Sequence, residues 1–298
     1  MREQRTIAGP AICAGIGVHT GERVRLVVSP APADAGIVFL RTDLSGDNRI
    51  EAHAAYVTDT VLGTSLENGV GASVSTVEHF LAACSGLGLD NLLVEIDGPE
   101  LPILDGSAGP FVRLLEQAGA RALPVPRRVI RILEPVAVEE GAKRAALLPD
   151  PDSETLTLDA TIRFADPAIG VQRRTMRLTR EDFLADIADA RTFGFMADVE
   201  RLRAHGRGLG ASLDNAVVVE NGKVVNPEGL RFEDEFVRHK MLDAIGDLAL
   251  AGGRIAGRYE ADQPGHAMNA RLVRELLRAR HAWRWESLGE PVYAAAGA

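Results

Sequence analysis

Cysteine is nearly absent, with two residues, Cys13 and Cys84, in a chain of 298. Two thiols cannot build a disulfide framework, and such sparse usage fits a reducing compartment. They also lack the CxxC spacing or histidine clustering of a thiolate zinc site. Long apolar runs are missing as well. No stretch approaches the ~18 residues of a membrane span, and Gly9, Pro10 and Gly15 break the segment Met1 to Gly17 before a secretory core can form. A cytoplasmic location is therefore expected. Nor is there surplus positive charge: 33 Lys and Arg against 42 Asp and Glu leave −9. That balance argues against nucleic acid or broad contact with anionic lipid, and leaves room only for a local basic cleft around a phosphate group.

What is present is the composition of an ordinary folded chain, 46% hydrophobic and 25% charged, which excludes disordered and fibrous classes. Single cores rarely grow beyond roughly 250–300 residues, so two domains are expected. Ala122-Leu123-Pro124-Val125-Pro126 reads as the joint, because two prolines one residue apart resist both helix and central strand. The expected division is 1–126 and 127–298.

The first half opens with strands such as Arg23 to Val28. A helix follows, where Ser75 and Glu78 have the spacing of a capping box, with Val77, Phe80, Leu81 and Cys84 on one face and a stop at Gly86. A strand at Leu92 to Ile96, a loop from Asp97 to Gly109 and a helix around Pro110 to Gln117 complete it. The second half also starts with strands and then repeats the order: helix (about Glu233 to Leu250), strand (Arg254 to Glu260), loop, helix (about Ala267 to His281). The expected class is α+β, in two related halves. The small, weakly polar tail Ala294 to Ala298 is expected to be disordered.

Chemistry concentrates in the later of the long helices. At about 100° per residue, His239, Asp243 and Asp247 form one stripe, with Val237, Met241, Ala244 and Leu248 roughly opposite. A His and an Asp one turn apart can close on a single metal ion, or they can be a solvated helix ion pair. Glu78-His79 supplies what a metal-activated water needs, one ligand and one base beside it; the competing readings are a capping glutamate and a hydrogen-bonded core histidine. His266 stands where the last helix begins, at a strand-to-helix turn or in a plain N-cap region. His19, between Gly17 and Gly21, is read as a turn histidine. Arg191-Thr192-Phe193-Gly194-Phe195-Met196 is either the wall of an apolar pocket with one polar handle or a buried element start.

Taken together, six segments resemble the zinc-dependent UDP-3-O-acyl-N-acetylglucosamine deacetylase family of lipid A synthesis. They are Gly17-Val18-His19-Thr20-Gly21, Ser75-Thr76-Val77-Glu78-His79, Leu104-Asp105-Gly106-Ser107-Ala108-Gly109-Pro110-Phe111, Ala190 to Phe195, His239 to Asp247, and Gly265-His266. They occur in the family's order over most of the chain. The resemblance implies two β-α-α-β sandwich domains packed face to face, with the active site between them. It implies Zn2+ held by His79, His239 and Asp243, Glu78 as general base, His266 as general acid, and Asp247 as the carboxylate that orients it. Thr192 then helps hold the oxyanion, while Phe193 and Lys240 contact substrate.

The implied reaction is hydrolysis of the acetamide of an acylated UDP-sugar to amine and acetate, the committed step of lipopolysaccharide synthesis in Gram-negative bacteria. A monomer is expected, with any contact with membrane transient and made through the acylated substrate. Where the family often has a basic residue three before the histidine, this chain has Gln263, with Arg258 as the nearest replacement for a diphosphate contact. A zinc amidase for another N-acyl substrate and a non-catalytic sugar-nucleotide-binding protein are the alternatives, separated by a turnover assay with metal analysis.

Overall fold

Along Arg23–Pro30 the side chains of Val24, Leu26 and Val28 are buried while those of Arg23 and Arg25 face solvent, the alternation of a strand covered on one face. The computed structural model, which describes residues 3–288, builds a five-stranded sheet around it; the tail Ala294–Ala298 lies outside the described residues. The spatial order is Ala11–Ile16, Arg23–Pro30, Leu92–Ile96, Ile37–Arg41, Arg49–Glu51. Only Ile37–Arg41 and Leu92–Ile96 run parallel. The crossover between them carries four short strands, Arg49–Glu51 among them, and the helix α1 (Glu78–Leu87).

A second sheet, of seven strands, is drawn entirely from residues after 127 and is centred on Arg254–Asp262. That strand pairs parallel with Arg128–Ile132 and Leu156–Arg163, and antiparallel with Lys143–Leu148. The remaining helices are α2 (Gly109–Gln117), α3 (Arg180–Asp186), α4 (Val199–Ala204), α5 (Glu235–Ala249) and α6 (His266–Arg278).

The two most buried helices, α1 and α5, pack directly on each other. Phe80 of α1 meets Phe39 of the first sheet edge-on at 6.2 Å, and α5 lies against strands of the second. The layers therefore run sheet, helix, helix, sheet, in an α+β architecture. Helices α2 and α6 flank this pair with one apolar face each, led by Phe111 and by Leu272 and Leu276.

Close approach of α1 and α5 depends on Gly246, where a Cβ would lie 2.0 Å from the carbonyl oxygen of Glu78. Gly246→Ala is expected to lower stability by about 1–3 kcal/mol, the range for overpacking a tight core. The measurement is the urea midpoint at unchanged m.

Three sequence expectations change here. Helix α1 runs through Gly86, which is glycine because the Phe183 ring occupies the space a Cβ would need (2.1 Å), and ends at Leu87, capped by Gly88 in the left-handed conformation (φ 70°). No capping box forms: Val77 holds the N-cap position without a side-chain bond, and Ser75 Oγ pairs instead with Ser65 Oγ. Ala120–Pro126 is a strand, paired antiparallel with Glu3–Ile7. It forms a ribbon of only those two strands, so each has an open edge on which prolines need no ladder partner.

Candidate metal centre

The chain enters α1 through Thr76, a β-branched residue in the left-handed region (φ 57°). Its hydroxyl is fixed by Glu100 Oε1 at 3.0 Å. Glu100 is buried and also accepts from the backbone of His19 and Thr20 and from the Thr20 hydroxyl. This is why Gly17 is glycine, since a Cβ would sit 2.2 Å from Glu100 Oε2. The Gly17–Gly21 segment thus braces the turn that aims Glu78 and His79, and His19 is a turn histidine whose Nε2 lies 3.3 Å from the Leu62 carbonyl.

Across the helix pair, the polar stripe of α5 is not solvated. His239, Asp243 and Asp247 are each at most 2% exposed. The candidate ligand atoms of His79, His239 and Asp243 lie within 4.8 Å of one another. His239 Nε2 is 3.2 Å and His79 Nε2 3.7 Å from Asp243 Oδ1, and the two imidazoles meet edge to face at 5.0 Å. Nδ1 of His239 donates to the Ala190 carbonyl at 3.0 Å, which leaves the Nε2 lone pair for the cluster.

Lys240 Nζ takes Asp243 Oδ2 at 2.6 Å, while Oδ1 is buried without a hydrogen-bond partner. An acceptor oxygen left bare among imidazoles is costly unless it meets a cation. Two imidazoles and a carboxylate are a donor set that zinc accepts. The residues present therefore fit a divalent metal.

The surrounding charges are ordered by the same contacts. Burial pushes the Glu78 carboxyl up, against the pull of His266 and His79. Burial pushes His239 down to about 3, so it stays neutral. For His266 burial opposes protonation, but Asp247 and Asp243 outweigh it and raise the group to about 9. Asp243 is held well below the carboxylate range: burial would raise it, but His239 and Lys240 prevail.

Asp247 gathers a network that no sequence spacing advertised. It accepts from His266 Nδ1 (3.0 Å), Asn269 Nδ2 (2.9 Å) and Thr64 Oγ1 (2.6 Å), and Tyr259 in turn donates to Asn269 (2.7 Å). Thr64 also donates its backbone N–H to Glu78 Oε2 at 2.9 Å, so one residue links both carboxylates. Thr64→Val keeps the shape and the backbone bond while removing the hydroxyl. We expect kcat to fall about 10- to 100-fold, the usual cost of losing a partner of this kind, with metal content unchanged by elemental analysis.

Phe193 lies on the strand Phe193–Phe195, edge-on to the His239 ring at 6.3 Å, with Lys240 Nζ 5.5 Å from its centroid. Thr192 precedes it, fixed by its backbone to the Gly106 carbonyl and to Val217 N–H. The segment is half-buried, and Arg191 beneath it is locked by a buried pair with Glu235 at 2.9 Å. Arg258 does not face this site. Its neighbour Tyr259 points inward to Asn269, so strand alternation sends Arg258 to the other face, where Asp159 and Glu260 pair with it.

The family described as UDP-3-O-acyl N-acetylglycosamine deacetylase matches residues 4–278 of the chain. The chain belongs to this family. It is 51% identical over 288 residues to the UDP-3-O-acyl-N-acetylglucosamine deacetylase of Phenylobacterium zucineum, covering 96% of this chain and 97% of that one. The enzymes of that name from Geobacter sp. strain M21 and Shewanella baltica are 48% and 47% identical, covering 92% and 94% of this chain and 89% and 91% of theirs. Among the described residues no helix is long and apolar enough to cross a membrane.

Proposed function

We propose that the protein is a zinc-dependent hydrolase that removes the acetyl group from UDP-3-O-(3-hydroxyacyl)-N-acetylglucosamine, releasing acetate and the 2-amine in the lipid A pathway. The observation that carries this reading is the meeting of His79, from the first sheet's half, with His239 and Asp243, from the second, around a buried carboxylate oxygen without a partner. The two halves, divided near residue 126, act as domains with the site between them. All the ligands come from one chain, which favours a monomer, and the proposed location is the cytoplasm.

Zinc held by His79, His239 and Asp243 would supply Lewis acidity, polarising the acetamide carbonyl and bringing the pKa of a water down toward ~7. The chain's own groups do the rest. Glu78 takes the proton of the attacking water, with its carboxylate steered by Thr64 N–H. Thr192 offers its hydroxyl to the oxygen on which negative charge develops; a donor in that role is worth ~2.7–4 kcal/mol of barrier. His266, oriented through Nδ1 by Asp247, gives a proton to the leaving amine. Phe193 and Lys240 border the same space and contact substrate.

The test is acetate release from the acylated UDP-sugar, measured against a panel of other N-acyl substrates. We expect turnover of the UDP-sugar at least 100-fold above the panel, lost on chelation and restored by Zn2+. Equal rates across the panel indicate a different amidase, and tight binding without turnover indicates a sugar-nucleotide-binding protein.

A further inference from the structure

A cavity of about 330 Å3 opens at the seam between the two halves, beside the C-terminal ends of α1 and α5 and apart from the His79–His239–Asp243 cluster. That volume is within the ~300–1,000 Å3 range of small-molecule sites. Ile37, Ala249 of α5 and Trp285 give it accessible apolar surface, over a floor of buried side chains from α1 and α5.

Three guanidinium groups also line the cavity, and they are not equivalent. Arg127 is held by Asp90 at 2.6 Å, and Arg128 lies 3.8 Å from Asp34 and stacks over Trp285. Arg254 has one bond, from Nη1 to the Ser85 carbonyl at 3.0 Å, and no ion pair among the described residues. A guanidinium has five N–H donors, so most of those of Arg254 are uncommitted. Burial, and then repulsion from Arg127, push Arg254 down to about 10 despite Asp90; an added anion would relieve this.

His53 supplies a second donor to the same wall. Its Nδ1 accepts from Ala55 N–H at 3.2 Å, so the neutral ring carries its proton on Nε2. The ring lies against Gly252, two residues before Arg254. Of the carboxylates that line the cavity, Asp90 and Asp34 face the other two arginines, and Glu51 is exposed to solvent.

We propose that this cavity is a second binding site, for a small organic carboxylate whose anion is held by Arg254 and His53 and whose chain lies on Ile37, Ala249 and Trp285. His53 comes from the first half and Arg254 from the second, so its occupant would bridge the two halves.

The experiment titrates the intact chain with octanoate and follows tryptophan emission, with calorimetry alongside. Trp285 is one of only two tryptophans and lines the cavity. We expect saturable binding that weakens about 10- to 100-fold in Arg254→Met, the effect of losing one charged hydrogen-bonding partner. Inorganic phosphate and octanol, each lacking half of the recognised chemistry, should bind at least tenfold more weakly than octanoate. Octanoate binding that is absent, or unchanged in Arg254→Met, overturns the proposal, as does phosphate binding as tight as octanoate. Should Arg254→Met fail to fold by circular dichroism, His53→Ala decides: weakening of severalfold supports the site and unchanged affinity overturns it. No arm reads turnover, so failure here is separable from failure of the deacetylase reading.

Discussion

His239→Ala is expected to purify without stoichiometric metal and without measurable deacetylase activity. Structural zinc sites bind with about 10–16 kcal/mol spread over some four ligands, so one imidazole is worth about 3 kcal/mol, or roughly 100- to 1,000-fold in affinity. The loss should exceed that of an exposed ligand, because His239 is buried, locked by Ala190 and 3.2 Å from Asp243 Oδ1. Asp243 would be left with Lys240 and His79 and an anion only partly matched. Elemental analysis against the wild-type chain reads the first effect, and acetate release at saturating added zinc reads the second. A variant that keeps one metal per chain after dialysis would remove His239 from the ligand set.

The helix carrying this histidine was legible in the sequence to within two residues at either end, because its apolar and polar positions recur at helical spacing. Its burial was not. The same His-Asp spacing fits a solvated ion pair, and it is the tertiary packing of α1 through Gly246, together with Phe193, His266 and Asn269, that covers the stripe. Conversely, the segment Ala122 to Pro126 looked like a break because proline cannot serve a central strand, whereas a two-stranded ribbon accepts it.

Local chemistry misled in a similar way at Glu78. The Ser75-x-x-Glu78 pattern describes a cap, but the left-handed turn at Thr76 diverts the chain and frees the glutamate to meet Thr64 instead. Beyond His266, the network around Asp247 was invisible for a different reason. Thr64, Tyr259 and Asn269 are scattered over some 200 positions, on a loop, a strand and a helix, and nothing in their local spacing marks them. The convergence of His79, His239 and Asp243 was expected only through the resemblance of the motifs that carry them, since their own spacing fitted an ion pair equally, while hydroxyl and amide side chains are common everywhere.

The isosteric change Glu78→Gln should separate chemistry from architecture most cleanly. Removing a general base costs about 10²- to 10⁴-fold in rate, so kcat should fall by that factor. Metal content should hold, since Glu78 is outside the His79–His239–Asp243 set. Stability should move the other way. Burial penalises the charged form of Glu78, and a neutral amide of the same shape escapes that penalty while its oxygen can still accept from Thr64 N–H at the position Oε2 now holds. The unfolding midpoint of the metal-loaded variant is therefore expected to match or exceed that of the wild type. A carboxylate kept at the expense of stability is one retained for its proton chemistry. A Gln variant that lost activity and stability together would instead make Glu78 a fold determinant at the α1–α5 crossing, and the base would have to be sought elsewhere in the site.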